Sequence, residues 1–353
     1  MLESLTRQIA AGQALAAGQA ALAVEELTDE KIAASVKADF LAALAQKGET
    51  PEEIAAFARA LREKSVPPPL DPETRAREIL DVVGTGGDRL STFNISTTTA
   101  ILCAAAGVTV AKHGNRAVTS SVGSADVIEA LGIRADLTPA AAARSLREHN
   151  FAFFFAPHYH PAFKHIAPAR KLCAERGQRT IFNILGPLLN PARPSASLVG
   201  VPRPELCEPM ARVLQLLGAR RGMVVTGKTG NRKPETGNFL DELSTLGENT
   251  VAEFYQERGF AVSTLSPENF PLQPATLADL RGGDKLVNAE IIRRILRGDE
   301  RGPKRDAVLL NAAAALFVAN KTRSLIEGWE LAGETIDSGA ARKKLHDLTQ
   351  PPA

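Results

Sequence analysis

Asp81-Val82-Val83-Gly84-Thr85-Gly86-Gly87-Asp88 sets three glycines and a carboxylate directly after a run, Ile79 to Val83, that reads as a buried strand. Glycines at the end of such a strand let backbone N–H groups approach an anion closely, which suits a phosphate. As a dinucleotide fingerprint the stretch fails, because Arg89 stands where G-x-G-x-x-G needs its last glycine. A phosphate-binding turn in an α/β fold is therefore expected here.

The next two stretches point the same way. Asn94-Ile95-Ser96-Thr97-Thr98-Thr99 precedes an apolar helix, Ala100 to Ala106, and puts hydroxyls and an amide where the helix dipole favours anions. Five polar side chains in six positions exceed what capping requires, and the excess suits a diphosphate and its metal. Lys112-His113-Gly114-Asn115-Arg116 follows the run Val108 to Ala111, at the carboxyl end where ligands bind in open α/β sheets. Three consecutive β segments thus end in glycine, hydroxyl or cationic groups, as one shared anionic ligand would require.

Apolar runs at Ile79–Val83, Val108–Ala111, Phe151–Phe155, Ser197–Val201 and Met223–Thr226 alternate with helical stretches, which predicts a mostly parallel central sheet flanked by helices. The helix opened by Thr138-Pro139 should end near His149-Asn150 and feed the strand from Phe151. Upstream, the first 65 residues read as short helices, with Thr28 and Thr50 as N-cap candidates and Pro51-Glu52-Glu53 as a favourable first turn. Ile54, Phe57, Ala58 and Leu61 share one helix face, a stripe for the core or for a dimer seam. Pro67-Pro68-Pro69 stops the last helix, so a small N-terminal helical domain, 1–68, and a larger α/β domain, 75–353, are expected.

Composition excludes several classes. In 353 residues, 42 Lys plus Arg against 40 Asp plus Glu leave a net charge of +2, so no global field draws a nucleic acid. Cys103, Cys173 and Cys207 are widely spaced without any C-x-x-C pair, which argues for a reducing compartment, the cytoplasm, and against structural zinc. No run approaches the roughly 20 apolar residues of a membrane span, and the charged N-terminus does not read as a signal peptide.

Three further features bear on the chemistry. Gly222-Met-Val-Val-Thr-Gly227-Lys228-Thr229 matches the P-loop pattern, but its middle reads as a strand and Gly230, Asn231 and Pro234 follow where that loop needs a helix. His158, His160 and His165 cluster without the carboxylates of a metal site. Asp241-Glu242 is the better cation candidate, since adjacent carboxylates in a loop suit Mg²⁺ that also touches phosphate oxygens.

Taken together, Gly84–Asp88, Asn94–Thr97, Lys112–Arg116, Gly123-Ser-Ala-Asp126, Arg179-Thr-Ile-Phe-Asn-Ile-Leu-Gly-Pro187 and Asp306–Ala315 make the chain resemble the anthranilate phosphoribosyltransferases, within the nucleoside phosphorylase and phosphoribosyltransferase class of folds. The resemblance implies transfer of a 5-phosphoribosyl group from phosphoribosyl pyrophosphate to anthranilate, with two Mg²⁺ per monomer. It also implies a homodimer through the N-terminal helices, and a helical domain completed by helices around 160–190.

By the same resemblance Gly84, Gly87, Asp88, Thr92, Asn94, Ile95, Ser96, Thr97, Lys112, His113, Gly114, Asn115, Arg116, Ala117, Val118, Thr119, Ser120 and Ser124 surround the donor. Ser96 would touch one Mg²⁺, and Asp241 with Glu242 the other. Gly84, His113, Asn115 and Arg170 would receive anthranilate, Arg170 facing its carboxylate as a guanidinium fork does. The leaving group is a polyanion and the acceptor amine is already a neutral nucleophile, so no general base is assigned. Three stretches depart from the family pattern: a longer Lys171–Gln178, Thr226 where His is frequent, and extra residues over Lys228–Asn238 that should project into solvent. A pyrimidine nucleoside phosphorylase would carry a Lys-His-Ser loop in place of Lys112–Arg116. A non-catalytic, nucleic-acid-binding relative would have lost Asp88, Ser96, Asp241 or Glu242, and all four stand here.

Overall fold

The chain opens with four helices, α1 (Leu2–Ala10), α2 (Ala17–Thr28), α3 (Ala34–Lys47) and α4 (Pro51–Glu63). The computed structural model describes residues 1–116, 122–230, 239–255 and 259–350. Ala117, Val118, Thr119 and Ser120 of the expected donor site, and residues 231–238 of the extra stretch, lie outside the described residues.

Thr50 caps α4 as expected: its hydroxyl accepts the Glu53 N–H at 3.2 Å and the Glu53 carboxylate accepts the Thr50 N–H at 2.9 Å. Thr28 does not cap a helix start. It is the last residue of α2, its hydroxyl donating to the Val24 carbonyl at 2.8 Å, because the apolar stripe Ala20, Ala23, Val24 and Leu27 carries the helix up to it. Ile54, Phe57, Ala58 and Leu61 are all buried in an apolar cluster shared with Ile166, Ala169, Cys173, Leu185 and Leu188 from later in the chain. Full burial of Phe57 alone stabilises by roughly 1.5–3 kcal/mol.

After α5 (Pro72–Ala76) come β1 (Ile79–Gly84), α6 (Ile95–Ala105), β2 (Thr109–Gly114), α7 (Ser124–Ala130), α8 (Pro139–His149), β3 (Phe151–Phe155), α9 (Ala156–Tyr159), α10 (Ala167–Glu175), β4 (Ala196–Gly200), α11 (Cys207–Leu216) and β5 (Arg221–Lys228). Strands β6 (Phe239–Leu240), β7 (Asn249–Tyr255) and β8 (Gly259–Leu265) precede α12 (Lys285–Arg297), α13 (Pro303–Val318), α14 (Leu325–Asp337) and α15 (Ala340–Thr349). The sheet runs β3-β2-β1-β4-β5-β7-β8, with β6 also beside β5. Pairs from β3 to β5 are parallel, and β6, β7 and β8 add antiparallel ladders that periodicity did not announce.

Two boundaries move. Strand β2 continues through Gly114 because β3 pairs with it from Val110↔Phe151 to Gly114↔Phe155, so Lys112 and His113 sit within the strand and are buried, not in a turn after it. Helix α6 starts at Ile95, so the hydroxyls expected ahead of the helix form its first turn. The chain leaves β1 toward β2 on one side and returns as β4 on the other. That reversal of order is where open α/β sheets leave a crevice for ligands. Among the described residues no helix is long and apolar enough to cross a membrane.

Candidate active site

Gly84 and Gly200 pair at the carboxyl ends of β1 and β4, on the floor of the crevice. Their missing side chains admit the Asp241-Glu242 loop: a Cβ on Gly200 would lie 1.5 Å from the Asp241 carbonyl oxygen. The Gly86 N–H donates to Asp241 Oδ2 at 2.7 Å, and Gly86 and Gly87 hold φ of 73° and 95°, the left-handed region that a side chain strains. Arg89 and Ser91, at φ of 60° and 54°, continue the loop in that region with side chains present.

Glu242 turns the other way, its Oε1 accepting the Ser96 N–H at 3.1 Å in the first turn of α6. Lys112 reaches from β2 beneath both, its Nζ donating to the Val82 carbonyl at 2.7 Å and the Ser96 hydroxyl at 3.3 Å. Burial, then the neighbouring Asp88 and Glu242, push the Asp241 carboxyl well above the ordinary range. Burial raises Glu242 to about 7 against the opposing pull of Lys112. Asp88, Asp241 and Glu242 thus crowd negative charge beside a hydroxyl, an arrangement a hard cation relieves. No three His, Cys, Asp or Glu side chains among the described residues form a metal cage by themselves. A Mg²⁺ ion here would complete its shell with phosphate oxygens and water, its usual habit, so the donor set fits.

Two distant asparagines hold this arrangement. Asn311 of α13 accepts the Leu243 N–H at 3.0 Å and donates to the Leu243 carbonyl at 2.9 Å, clamping the acidic loop. Asn288 of α12 donates to Asn94 Oδ1 at 3.0 Å, while Thr92 bridges to Arg281 and the Phe93 N–H donates to the Leu280 carbonyl at 3.1 Å. Neither asparagine carried a local signal beyond its residue type. Thr226, the departure from the family pattern, donates its hydroxyl to the Leu240 carbonyl at 3.1 Å just before the acidic pair.

The His113 ring, from β2, meets the His160 ring edge-on at 5.3 Å. Burial holds His113 down to about 3 and His160 to about 4, so both imidazoles are neutral at physiological pH. The buried Nε2 of each has no hydrogen-bond partner. His160 thus joins the site, although its sequence context suggested only a histidine cluster. Behind them the Asp81 carboxylate, raised by burial to about 6, accepts from the Asn190 side chain at 2.8 Å. Arg170 projects from α10 over the Phe182 ring at 5.4 Å, half-buried and with no ion-pair partner among the described residues. Burial lowers its pKa.

The remaining expected residues divide. Ser124 lies against the Asn115 carbonyl at 3.4 Å, and Asn115 is exposed at the rim. Arg116 turns outward, pairing with Glu129 at 2.7 Å and Asp126 at 3.1 Å. Ile95 is buried in the core, and the buried Thr97 hydroxyl has no partner.

Residues 76–342 match the glycosyl transferase family a/b domain, and residues 3–65 match that family's helical bundle domain. The anthranilate phosphoribosyltransferase of Petrotoga mobilis is 45% identical over 350 residues, covering 99% of this chain and 96% of its own. That of Lacticaseibacillus casei is 49% identical over 311 residues, covering 88% of this chain and 86% of its own. The chain belongs to the anthranilate phosphoribosyltransferase family. Among solved anthranilate phosphoribosyltransferases, the Thermus thermophilus structure superposes with a TM-score of 0.86 at 42% identity over 98% of both chains. The Saccharomyces cerevisiae anthranilate phosphoribosyltransferase, solved in complex with PRPP and Mg, gives 0.84 at 27% identity over 99% of this chain and 97% of its own.

Proposed function

We propose that the crevice at the carboxyl ends of β1, β2 and β4 is where this chain performs its family's reaction. That reaction moves the 5-phosphoribosyl group from phosphoribosyl pyrophosphate to the amino group of anthranilate and releases pyrophosphate, in tryptophan biosynthesis. The observation that carries the assignment is the pair of bonds Gly86–Asp241 and Ser96–Glu242, which fold an acidic loop from 155 and 146 residues away onto two anion-ready segments. Omitting in turn the protein, donor, anthranilate or Mg²⁺ tests it. Anthranilate fluorescence should fall only with all present, and no loss with the complete mixture would refute the assignment.

In this reading the Gly84–Asp88 loop and the first turn of α6 direct N–H groups and the Ser96 hydroxyl at the diphosphate. Lys112 balances charge from below. Ser96 would hold one Mg²⁺, and Asp241 with Glu242 a second, the metal supplying positive charge to the departing pyrophosphate. Arg170 binds the acceptor carboxylate, and Gly84, His113 and Asn115 complete the acceptor seat. The C1–O bond to pyrophosphate breaks, the C1–N bond forms, and the new ammonium loses a proton. The low basicity of buried His113 supports a positioning role, so placement of donor and acceptor supplies much of the rate.

The division at Pro67–Pro69, with the 160–190 segment completing the helical unit, is supported by the apolar cluster shared between them. We also assign a homodimer through the N-terminal helices, on the family resemblance, and a cytoplasmic location, on three buried free cysteines.

A further inference from the structure

Away from the crevice, α12 and α15 enclose an open cleft of about 560 Å³ lined by Leu131, Arg293, Arg297, Arg342, Lys343, Leu345, His346 and Thr349. Among the described residues no carboxylate lines it. Glu290 at 3.6 Å offsets Arg293, and Asp347 at 2.7 Å offsets Lys343. Arg297 and Arg342 are exposed and have no ion-pair partner among the described residues. In a chain whose net charge is only +2, this concentration is local.

Helix electrostatics do not account for it. Arg297, in the last turn of α12, complements the helix dipole, but Arg342 and Lys343 stand in the first turn of α15, where a cation is disfavoured. That turn has no acidic residue and no side-chain cap. Its two cations line the cleft beside Arg293 and Arg297, and an anion there would neutralise the cluster.

We infer that this cleft is a second anion site, taking a small molecule with two or more phosphate charges, separate from the donor crevice. The two uncompensated guanidiniums supply forked donors for phosphate oxygens, and Leu131 and Leu345 floor the cleft beside them. Helix α12 links the two places. Its Arg297 faces the cleft, and Asn288, about 14 Å back along the axis, holds Asn94 at the start of α6.

Inorganic tripolyphosphate, titrated into the full chain with hydrogen–deuterium exchange read by peptide, tests this against R297E/R342E. Both side chains are exposed and outside the crevice, so the variant should fold; the milder R297A/R342A serves if it does not. Wild type should show slowed exchange over 285–297 and 340–349, in addition to any direct protection of the donor crevice by tripolyphosphate. The charge reversal should remove the slowing over the two helices and weaken tripolyphosphate binding there by about ten-fold or more. Protection confined to the donor crevice, protection unchanged in both variants, or none at all would overturn the site.

Discussion

Arg170, proposed above to bind the acceptor carboxylate, lies over the Phe182 ring, half-buried and lacking an acidic partner among the described residues. Arg170→Ala should cost about 1.5–3 kcal/mol of acceptor binding and spare the donor. Michaelis constants for both substrates check this, and an unchanged anthranilate value would assign the carboxylate elsewhere. The paired histidines carry a pH signature. Their folded values, about 3 for His113 and about 4 for His160, lie below the 6.5 of the unfolded chain, so only the unfolded chain takes up protons as pH falls below 6.5. Their contribution to stability is then full above pH 6.5 and declines below it, by roughly 1.4 kcal/mol per unit for each group. The buried Asp81 and Glu242 carboxyls, raised to about 6 and about 7, act in the opposite sense over the same range, so the histidine contribution is read as a difference: from pH 7 to pH 5 the urea midpoint of the wild type should fall relative to that of His160→Asn. The same pH dependence in both proteins would show that His160 does not contribute.

At the scale of elements, the acidic loop is positioned by contacts that close over long stretches of chain. Asn311→Ala leaves the Leu243 N–H and carbonyl buried without partners, at a cost of about 1–3 kcal/mol, and should raise the Mg²⁺ concentration needed for half-maximal rate. A lower melting temperature with an unchanged Mg²⁺ requirement would separate the clamp from the site. Lys228 and Phe239 are register partners in β5 and β6, so replacing Thr229–Asn238 by an Asn-Gly turn should leave the Mg²⁺ requirement nearly unchanged. A variant that needs much more Mg²⁺ would place part of that stretch in the site. Strands β1 to β5 and the gathering of the Gly84–Asp88, Asn94–Thr97 and Lys112 segments at one end of the sheet were legible in the sequence because apolar runs, glycines and hydroxyls are local signals. Strands β6 to β8, the asparagine clamps and the meeting of His160 with His113 were not, because pairing across the sheet decides them. Thr28 misled because a threonine beside a helix serves either end.

For the whole molecule, the reversal of strand order between β1 and β4 creates the crevice, and the glycines at both strand ends let the acidic loop enter it. Two apolar clusters hold the crevice between them, one uniting the N-terminal helices with α10 and α11, the other packing α6 and α12–α15 on the sheet. The central claim is that this crevice, closed by Asp241 and Glu242, is the seat of the donor and its metal. The Mg²⁺ dependence of anthranilate fluorescence loss, compared between the wild type and Asp241→Asn, tests it most directly. The account predicts a much lower rate in the variant with the Mg²⁺ requirement shifted upward. A variant with wild-type rate and an unchanged Mg²⁺ curve would contradict it.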